Sequence, residues 1–193
     1  MRGWRKKIFE KIIKYIKNKE VLDLGCVGRF KFDDEKFFHM HICKYAKECV
    51  GADFDKKGLE ELRKRGFKTK FIDLNKKNKP FKKFDVITAK DVIEHIPNQQ
   101  NLFEFLSNSL RSGGLLVLSF PYRYSKYDYL QDVFRKKKED KESDSPHIIF
   151  HDVHTIRRIA RLVGLKIVHQ EFLDPIVKSH LFVVLKKSDI FRH

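Results

Sequence analysis

The stretch VLDLGCVG, at residues 21–28, decides how the rest of the chain is interpreted. It begins as a short apolar run, which is typical of a strand buried on both faces of a parallel sheet. Asp23 lies inside that run, where a carboxylate needs a partner, and Gly25 and Gly28 follow in a turn. A glycine at the end of a strand lets a ligand or a helix approach the backbone closely. Strand, glycine turn and helix together predict a nucleoside-binding site in an open α/β sheet.

Apolar strand patterns alternate with helical patterns on both sides of this stretch. Strands are predicted at 21–26, 49–54, 67–74, 84–89, 115–121, 166–173 and 180–187, and helices within 1–19 and at 32–47, 56–66, 98–110 and 152–163. The alternation predicts an α/β fold, a Rossmann-like three-layer sandwich around a mostly parallel seven-stranded sheet. The last two strands leave no room for a helix between them, which predicts a C-terminal antiparallel hairpin. Gly113 and Gly114 are expected to end the helix at 98–110.

Length and composition favour a single domain over residues 1–193, with a heavily charged surface. The net charge of +16 favours polyanionic partners, but the lysines are scattered along the chain, so nucleic acid stays an alternative that is not favoured. Three cysteines form no CxxC pair and no signal peptide is recognised, which predicts reduced thiols in a cytoplasmic protein. No apolar run approaches membrane-spanning length, so no membrane insertion is expected. The oligomeric state is not predicted.

Polar residues follow several of the predicted strands, at the edge where open α/β sheets bind ligands. Asp53 ends the second strand and Asp73 ends the third, while Lys90, Asp91 and His95 follow the fourth. A carboxylate after the second strand can accept both hydroxyls of a ribose, and one after the third can accept an adenine amine. Asp53 taken alone is explained equally well as the cap of the next helix. The set in this order favours a nucleoside site.

The succession of motifs closely resembles the class I S-adenosylmethionine-dependent methyltransferases, and most nearly the small-molecule type found in ubiquinone-biosynthesis O-methyltransferases. The resemblance extends from residue 21 to residue 187 and rests on VLDLGCVG, VGADFD, FIDL, FDVITAKDVIEHI, LRSGGLLVLSFP and IRRIARLVGLKIV. It implies S-adenosyl-L-methionine as the cofactor. The residues that it implies for cofactor binding are Asp23, Gly25, Cys26 and Gly28 (methionine part), Asp53 and Phe54 (ribose and adenine), Asp73 and Leu74 (adenine amine), and Lys90 and Asp91 (sulfonium).

The glycine turn departs from the family pattern GCGxG, because Val27 and Arg29 replace its second and third glycines. Valine tolerates a positive φ poorly, so we expect this turn to differ in shape from that of the family. The departure also argues against NAD, whose pyrophosphate needs the close approach that GxGxxG allows. A non-catalytic S-adenosylmethionine-binding module therefore stays an alternative.

The family implies methyl transfer by in-line displacement, to a small-molecule or glycan/lipid-precursor acceptor with oxygen as the favoured atom. His95 is the candidate general base, and packing of its ring against the sheet is the competing interpretation. Tyr122, His147 and His151 are candidate acceptor-binding residues, and 122–147 is a candidate lid or flexible insertion. No metal is expected, although the spacing in HIIFHDVH resembles that of metal ligands. An RNA methyltransferase is the second alternative, weakened because AKDV stands where base-modifying enzymes often carry an NPPY-like segment.

Overall fold

The computed structural model describes residues 4–28, 37–122, 148–174, 176 and 178–188, with the side chains of residues 4–6 outside the description. The elements in chain order are α1 (Trp4–Ile16), β1 (Glu20–Leu24), α2 (Phe38–Tyr45), β2 (Glu48–Asp53), α3 (Lys56–Lys64), β3 (Thr69–Phe71), β4 (Phe84–Lys90), a 3-10 helix (Ile93–His95), α4 (Gln99–Ser109), β5 (Leu110–Pro121), α5 (Val153–Leu162), β6 (Leu165–Phe172) and β7 (His180–Lys187). No helix among these residues is long and apolar enough to cross a membrane.

The strands form one seven-stranded sheet in the order β3-β2-β1-β4-β5-β7-β6. The pairs from β3 to β5 are parallel, whereas β7 lies antiparallel between β5 and β6. This arrangement confirms the prediction of a Rossmann-like fold with a C-terminal antiparallel hairpin. The carboxyl ends of β1, β2 and β4 meet at one edge of the sheet, which is where the polar residues of the sequence motifs lie.

Helices cover both faces of the sheet and divide its core into layers. On one face, α1 inserts Ile8, Ile12 and Ile16, which share a cluster with Ile42 of α2. On the other face, α4 and α5 pack against the sheet through residues that include Leu102, Leu106, Ile156 and Ala160. Successive side chains of a strand alternate between these layers. Val21 of β1 therefore joins the α1 layer, and Leu22 and Leu24 join the α4 layer.

The boundary between α4 and β5 differs from the sequence prediction. The helix ends at Ser109, and Gly113 and Gly114 lie inside β5 instead of capping the helix. Arg111 donates to Asp85 at 2.7 Å, which holds the start of β5 beside β4. The register of the two strands shifts between Phe84 and Val86, and a Cβ on Gly114 would lie 2.9 Å from the Arg111 carbonyl oxygen. The two glycines therefore allow an irregularity in the strand. In the sequence alone, a pair of glycines at this place resembles the end of a helix.

Strand β3 is also shorter than predicted, because Asp73 begins a turn. Asp73 Oδ1 accepts from the backbone N–H of Asn75 at 3.1 Å, and its carbonyl accepts from the Asn78 amide at 2.8 Å. Such side-chain turns end regular pairing. Ile72 and Leu74 remain buried beyond the end of the strand, which explains why the apolar pattern continues past it.

Candidate functional site

The glycine turn after β1 lies against the end of β2. Gly25 has a φ of +72°, and its backbone N–H donates to the Ala52 carbonyl at 2.9 Å. A Cβ on Gly25 would lie 2.6 Å from Val92 Cγ2, so the turn needs glycine at this position for both space and conformation. Gly28 has a φ of +58°, and among the described residues no atom lies within 4 Å of the place where a Cβ on Gly28 would lie. The described part of the turn is therefore tightly packed at Gly25.

Val27 fits this turn without the backbone strain that its place in the motif suggests. Among the described residues, the non-glycine positions with positive φ are Asn18, Asp91 and Lys178, and Val27 is not one of them. Its side chain is buried against α3, where a Cβ on Gly58 would lie only 2.3 Å from Val27 Cγ1. The absence of a side chain at Gly58 thus provides the space that the valine occupies, and a glycine on α3 compensates for the glycine that the turn lacks.

Asp53, at the end of β2, holds the turn in place. Its Oδ2 accepts from the backbone N–H of Val27 at 3.0 Å, and its Oδ1 accepts from that of Asp55 at 3.1 Å. The N-cap of α3 is Asp55, whose Oδ1 accepts from the Gly58 N–H at 3.1 Å. The helix-cap role considered for Asp53 thus belongs to Asp55. Each carboxylate oxygen of Asp53 keeps a second lone pair with which it can accept from a hydroxyl.

Two further predicted residues lie at the same edge, beyond Asp53. Phe54 is 74 % exposed, although a large apolar ring is usually covered in a folded protein. Asp73 lies after β3, with Lys76 Nζ 3.6 Å from its Oδ2, and the neighbouring Leu74 is buried. A planar apolar surface beside two carboxylates fits an adenosine, with the ring of Phe54 available for stacking.

Asp91 marks the end of β4 and has an unusual environment. Its φ is +52°, and its backbone N–H donates to the Ser119 carbonyl at 2.8 Å. Lys90 Nζ donates to Asp91 Oδ2, whereas Asp91 Oδ1 is buried and has no hydrogen-bond partner among the described residues. His180 Nε2 lies 4.0 Å from that oxygen. A buried carboxylate oxygen of this kind suits a cationic or hydrogen-bonding group of a ligand.

Asp23 lies deeper than the other predicted site residues. Its Oδ1 accepts from Thr88 Oγ1 at 2.6 Å, and its Oδ2 lies 2.8 Å from His39 Nδ1. Burial lowers the pKa of His39, but the hydrogen bonds to Asp23 and Cys43 and the charge of Asp23 together raise that pKa to about 9. Asp23 and His39 therefore form a buried ion pair. Cys26 is buried close by, and burial raises the pKa of its thiol. A direct contact of Asp23 or Cys26 with a cofactor stays a prediction.

The sequence reasoning missed His39. No motif contains this residue, but the buried Asp23 required a partner. The structure supplies it from α2, because Asp23 alternates away from Leu22 and Leu24 toward the layer of that helix.

The candidate base and acceptor residues lie beside β4 and β5. His95 is half-buried in the 3-10 helix after β4, and Glu94 next to it is buried. The Glu94 carbonyl accepts from the backbone N–H groups of Ile148 and Ile149, at 3.0 and 3.1 Å. The segment that precedes α5 is thereby held against the end of β4, close in sequence to His95.

Tyr122 and His151 are brought together by an isolated parallel β-bridge. The His151 ring is buried against Phe120, with ring centroids 5.6 Å apart, and burial lowers its pKa. The Tyr122 ring packs edge-to-face on Phe172 at 4.9 Å. His147 and residues 123–147 of the candidate lid lie outside the described residues. His154 is exposed on α5, whereas His151 is buried.

The described residues at this edge fit a ligand with a ribose, a flat base and a cationic centre. Asp53 provides the acceptor for hydroxyls, Phe54 the exposed ring and Asp91 the buried carboxylate oxygen. S-Adenosylmethionine has each of these groups and no phosphate, so it does not require a further glycine where Val27 lies.

Comparison with known proteins agrees with this chemistry. A family model described as a methyltransferase domain matches residues 1–170. A curated relative, the ubiquinone biosynthesis O-methyltransferase of Pelagibacter ubique (strain HTCC1062), is 28% identical over 111 residues, which are 55% of this chain and 43% of that protein. The chain thus spans less than half the length of this relative.

Solved structures share the fold over nearly the whole chain. An S-adenosylmethionine-dependent methyltransferase from Mesorhizobium loti has a TM-score of 0.68 and 17% identity, with 96% of this chain and 98% of that chain covered. The magnesium protoporphyrin IX methyltransferase of Synechocystis PCC 6803, solved with bound S-adenosylhomocysteine, has a TM-score of 0.70 and 16% identity, with coverages of 96% and 84%.

Proposed function

The chain belongs to the S-adenosylmethionine-dependent methyltransferases, and on that premise we propose that it transfers a methyl group to an oxygen atom of a small-molecule or glycan/lipid-precursor acceptor. The observation that carries the proposal is the position of Asp53. Its carboxylate holds the backbone of the glycine turn and lies next to the exposed ring of Phe54, as an adenosine site requires. S-Adenosylmethionine is the cofactor of the family, and when bound it supplies an activated methyl group on a sulfonium.

The residues of the chain divide the remaining work between binding and proton transfer. Asp53 and Asp73 would hold the ribose and the adenine amine, and Asp91 would face the cationic centre. His95 would take the proton from the acceptor hydroxyl as its oxygen bonds to the methyl carbon. Positioning is the larger contribution, because the methyl group is already activated.

Two observations favour a small acceptor. The backbone bonds from Ile148 and Ile149 to Glu94 hold this segment beside the 3-10 helix that follows β4, where it would narrow the approach to the methyl group. Tyr122 and His151 lie on the same side, where they would shape an acceptor pocket. The similarity to an O-methyltransferase of ubiquinone biosynthesis supports the choice of oxygen.

A basic groove keeps RNA as the second candidate acceptor. Arg157 and Arg161 of α5 and Lys166 and His169 of β6 line a cavity of about 440 Å³. Together with the net charge of +16, this groove would attract a polyanion. It lies on the outermost strand of the sheet, separated from β4 by β5 and β7, so it would hold a large substrate at a distance from the methyl group.

A methyl-transfer screen distinguishes these candidates. The full-length protein is incubated with methyl-labelled S-adenosylmethionine and cell extract separated into small-molecule, lipid and RNA fractions. We expect label in the small-molecule or lipid fraction, with stoichiometric S-adenosylhomocysteine, and less label with Asp53→Ala when the cofactor is limiting. Label confined to RNA would favour the second candidate. Tight cofactor binding without S-adenosylhomocysteine formation on any fraction would identify a non-catalytic module.

Replacement of the candidate base tests the proton-transfer step separately. His95→Ala is expected to lower kcat by about 10²- to 10⁴-fold, with the affinity for S-adenosylhomocysteine unchanged. His154→Ala is the control, because that histidine is exposed on α5. Equal turnover of the wild type and His95→Ala would exclude His95 as the general base and favour a role of its ring in packing.

A further inference from the structure

The three cysteines of the chain lie around one buried histidine behind the glycine turn. His39 and Cys43 are separated by four residues on α2 and therefore face the same side of the helix, while Cys49 lies on the adjacent β2. The potential ligand atoms of these three residues all lie within 4.8 Å of one another. Cys43 Sγ is 3.4 Å from His39 Nε2, and Cys49 Sγ is 4.0 Å from His39 Nδ1. The proposed methyl transfer uses none of these three side chains.

The spacing matches the edges of a metal coordination sphere. A tetrahedral zinc ion with Zn–S of about 2.3 Å and Zn–N of about 2.0 Å separates a thiolate sulfur from an imidazole nitrogen by about 3.5 Å. The distance of 3.4 Å from Cys43 Sγ to His39 Nε2 lies close to this value, and Cys49 belongs to the same group, whose ligand atoms all lie within 4.8 Å of one another. Sulfur and imidazole ligands select zinc over hard cations such as magnesium or calcium. Small side-chain rotations would therefore complete a three-ligand site.

The surroundings of His39 also suit a metal ligand. Its Nδ1 is paired with Asp23 Oδ2 at 2.8 Å, which leaves Nε2 directed toward Cys43. A carboxylate on the outer nitrogen of a metal-bound histidine is the usual second-shell arrangement, since it orients the ring and increases its basicity. Two thiolates at Cys43 and Cys49 would neutralise a divalent charge, and binding would release to solvent the two thiol protons and the Nε2 proton of the His39 cation.

Space for the cluster depends on Gly51, which is the β2 partner of Asp23 in the sheet. A Cβ at Gly51 would lie 2.7 Å from Cys26 Sγ and 2.8 Å from His39 Cε1. The missing side chain thus allows the histidine and a third thiol to approach the same point of the strand. Cys26 belongs to the glycine turn, so the cluster directly adjoins the backbone of the cofactor site.

We propose that His39, Cys43 and Cys49 bind one zinc ion, which pins α2 to β2 behind the glycine turn. Three protein ligands leave the fourth tetrahedral position to a water molecule, and the ion would stabilise the layer that supports Asp23. The same two thiols could instead form a disulfide, and the experiment distinguishes that outcome.

Cobalt titration of the reduced, metal-free, full-length protein tests the proposal. Cobalt(II) is expected to bind at one ion per chain with thiolate-to-cobalt absorption in the near ultraviolet, and zinc is expected to displace it. At about a hundredfold excess over Kd, zinc should raise Tm by roughly 5–10 °C. Cys43→Ser and Cys49→Ser should each weaken cobalt binding at least about tenfold and abolish the rise in Tm. Far-ultraviolet circular dichroism confirms that the variants are folded.

His41→Ala is the matched control, because this histidine lies on the same helix with its ring against Phe9, 4.9 Å between centroids. It should bind cobalt as the wild type does. The proposal is overturned if the wild type shows no thiolate–cobalt absorption, or if both serine variants bind cobalt as tightly as the wild type. It is also overturned if mass spectrometry finds a Cys43–Cys49 disulfide in protein purified without reductant and the reduced protein takes up no metal.

Discussion

Asp23 and Asp53 are buried carboxylates on neighbouring parallel strands, yet their environments differ. Asp23 lies one residue inside the end of β1, and its oxygens are engaged by the side chains of Thr88 and His39. Asp53 is the last residue of β2, and its oxygens are engaged by the backbone N–H groups of Val27 and Asp55. One position inside the strand directs a carboxylate into the helix layer, while the tip of the strand directs it to the loop. The first stabilises the fold, and the second shapes the site.

The largest expected effect of this difference is on stability. Asp23→Ala should lower the free energy of unfolding by about 3–5 kcal/mol, because it leaves the buried His39 cation without its carboxylate. Urea denaturation of metal-free, reduced protein measures this loss. Asp53→Ala should cost clearly less, since its partners are backbone groups beside an open turn. Equal losses of unfolding free energy for the two variants would contradict the assignment of Asp23 to the fold and Asp53 to the site.

A second test asks whether the space left by Gly58 allows Val27 to fit in the turn that Asp53 holds. Gly58→Ala should destabilise the protein by about 1–3 kcal/mol, because the new Cβ would overlap Val27. In Gly58→Ala/Val27→Ala the overlap is removed, and part of the loss should be recovered. A double-mutant cycle on thermal unfolding measures the coupling between the two sites. Strictly additive effects would show that α3 and the turn are not coupled through this contact.

The smallest expected effect concerns the exposed ring beside Asp53. Phe54→Ala should weaken binding of S-adenosylhomocysteine by about 0.5–1.5 kcal/mol through lost stacking, with the stability unchanged. Calorimetric titration gives the affinity. Leu162→Ala is a suitable control, because Leu162 is 82 % exposed at the end of α5, away from the glycine turn. A Phe54 variant with wild-type affinity would exclude stacking on this ring.

The fold was predictable from the sequence because strands and helices each leave a periodic pattern of apolar residues over a short stretch of chain. Seven apolar strand patterns, the intervening helices and the short connection before the last strand were sufficient for the layer architecture. The α4–β5 boundary was not predictable, because Gly113 and Gly114 carry the same local signal in a helix end as in an irregular strand. The ion pair of Arg111 with Asp85, which is distant in sequence, decides between the two.

The placement of the candidate residues was predictable where a residue ends a strand or follows it within two positions. Asp53, Asp73 and Asp91 lie at the sheet edge where their positions in the sequence place them. Contacts between elements were not predictable in the same way. The pairing of Asp23 with His39 and of Val27 with Gly58 depends on how α2 and α3 pack, and a single sequence carries no direct signal for either contact.

Calorimetric titration of S-adenosylhomocysteine into wild type, Asp53→Ala and Asp55→Ala tests the central claim most directly. Asp53→Ala should lose about 1.5–3 kcal/mol of binding free energy, the value of hydrogen bonds to a charged group. Asp55→Ala removes only the cap of α3, so its affinity should match the wild type even if its stability falls. An Asp53→Ala protein that binds with unchanged affinity would contradict the assignment of this strand end to the cofactor.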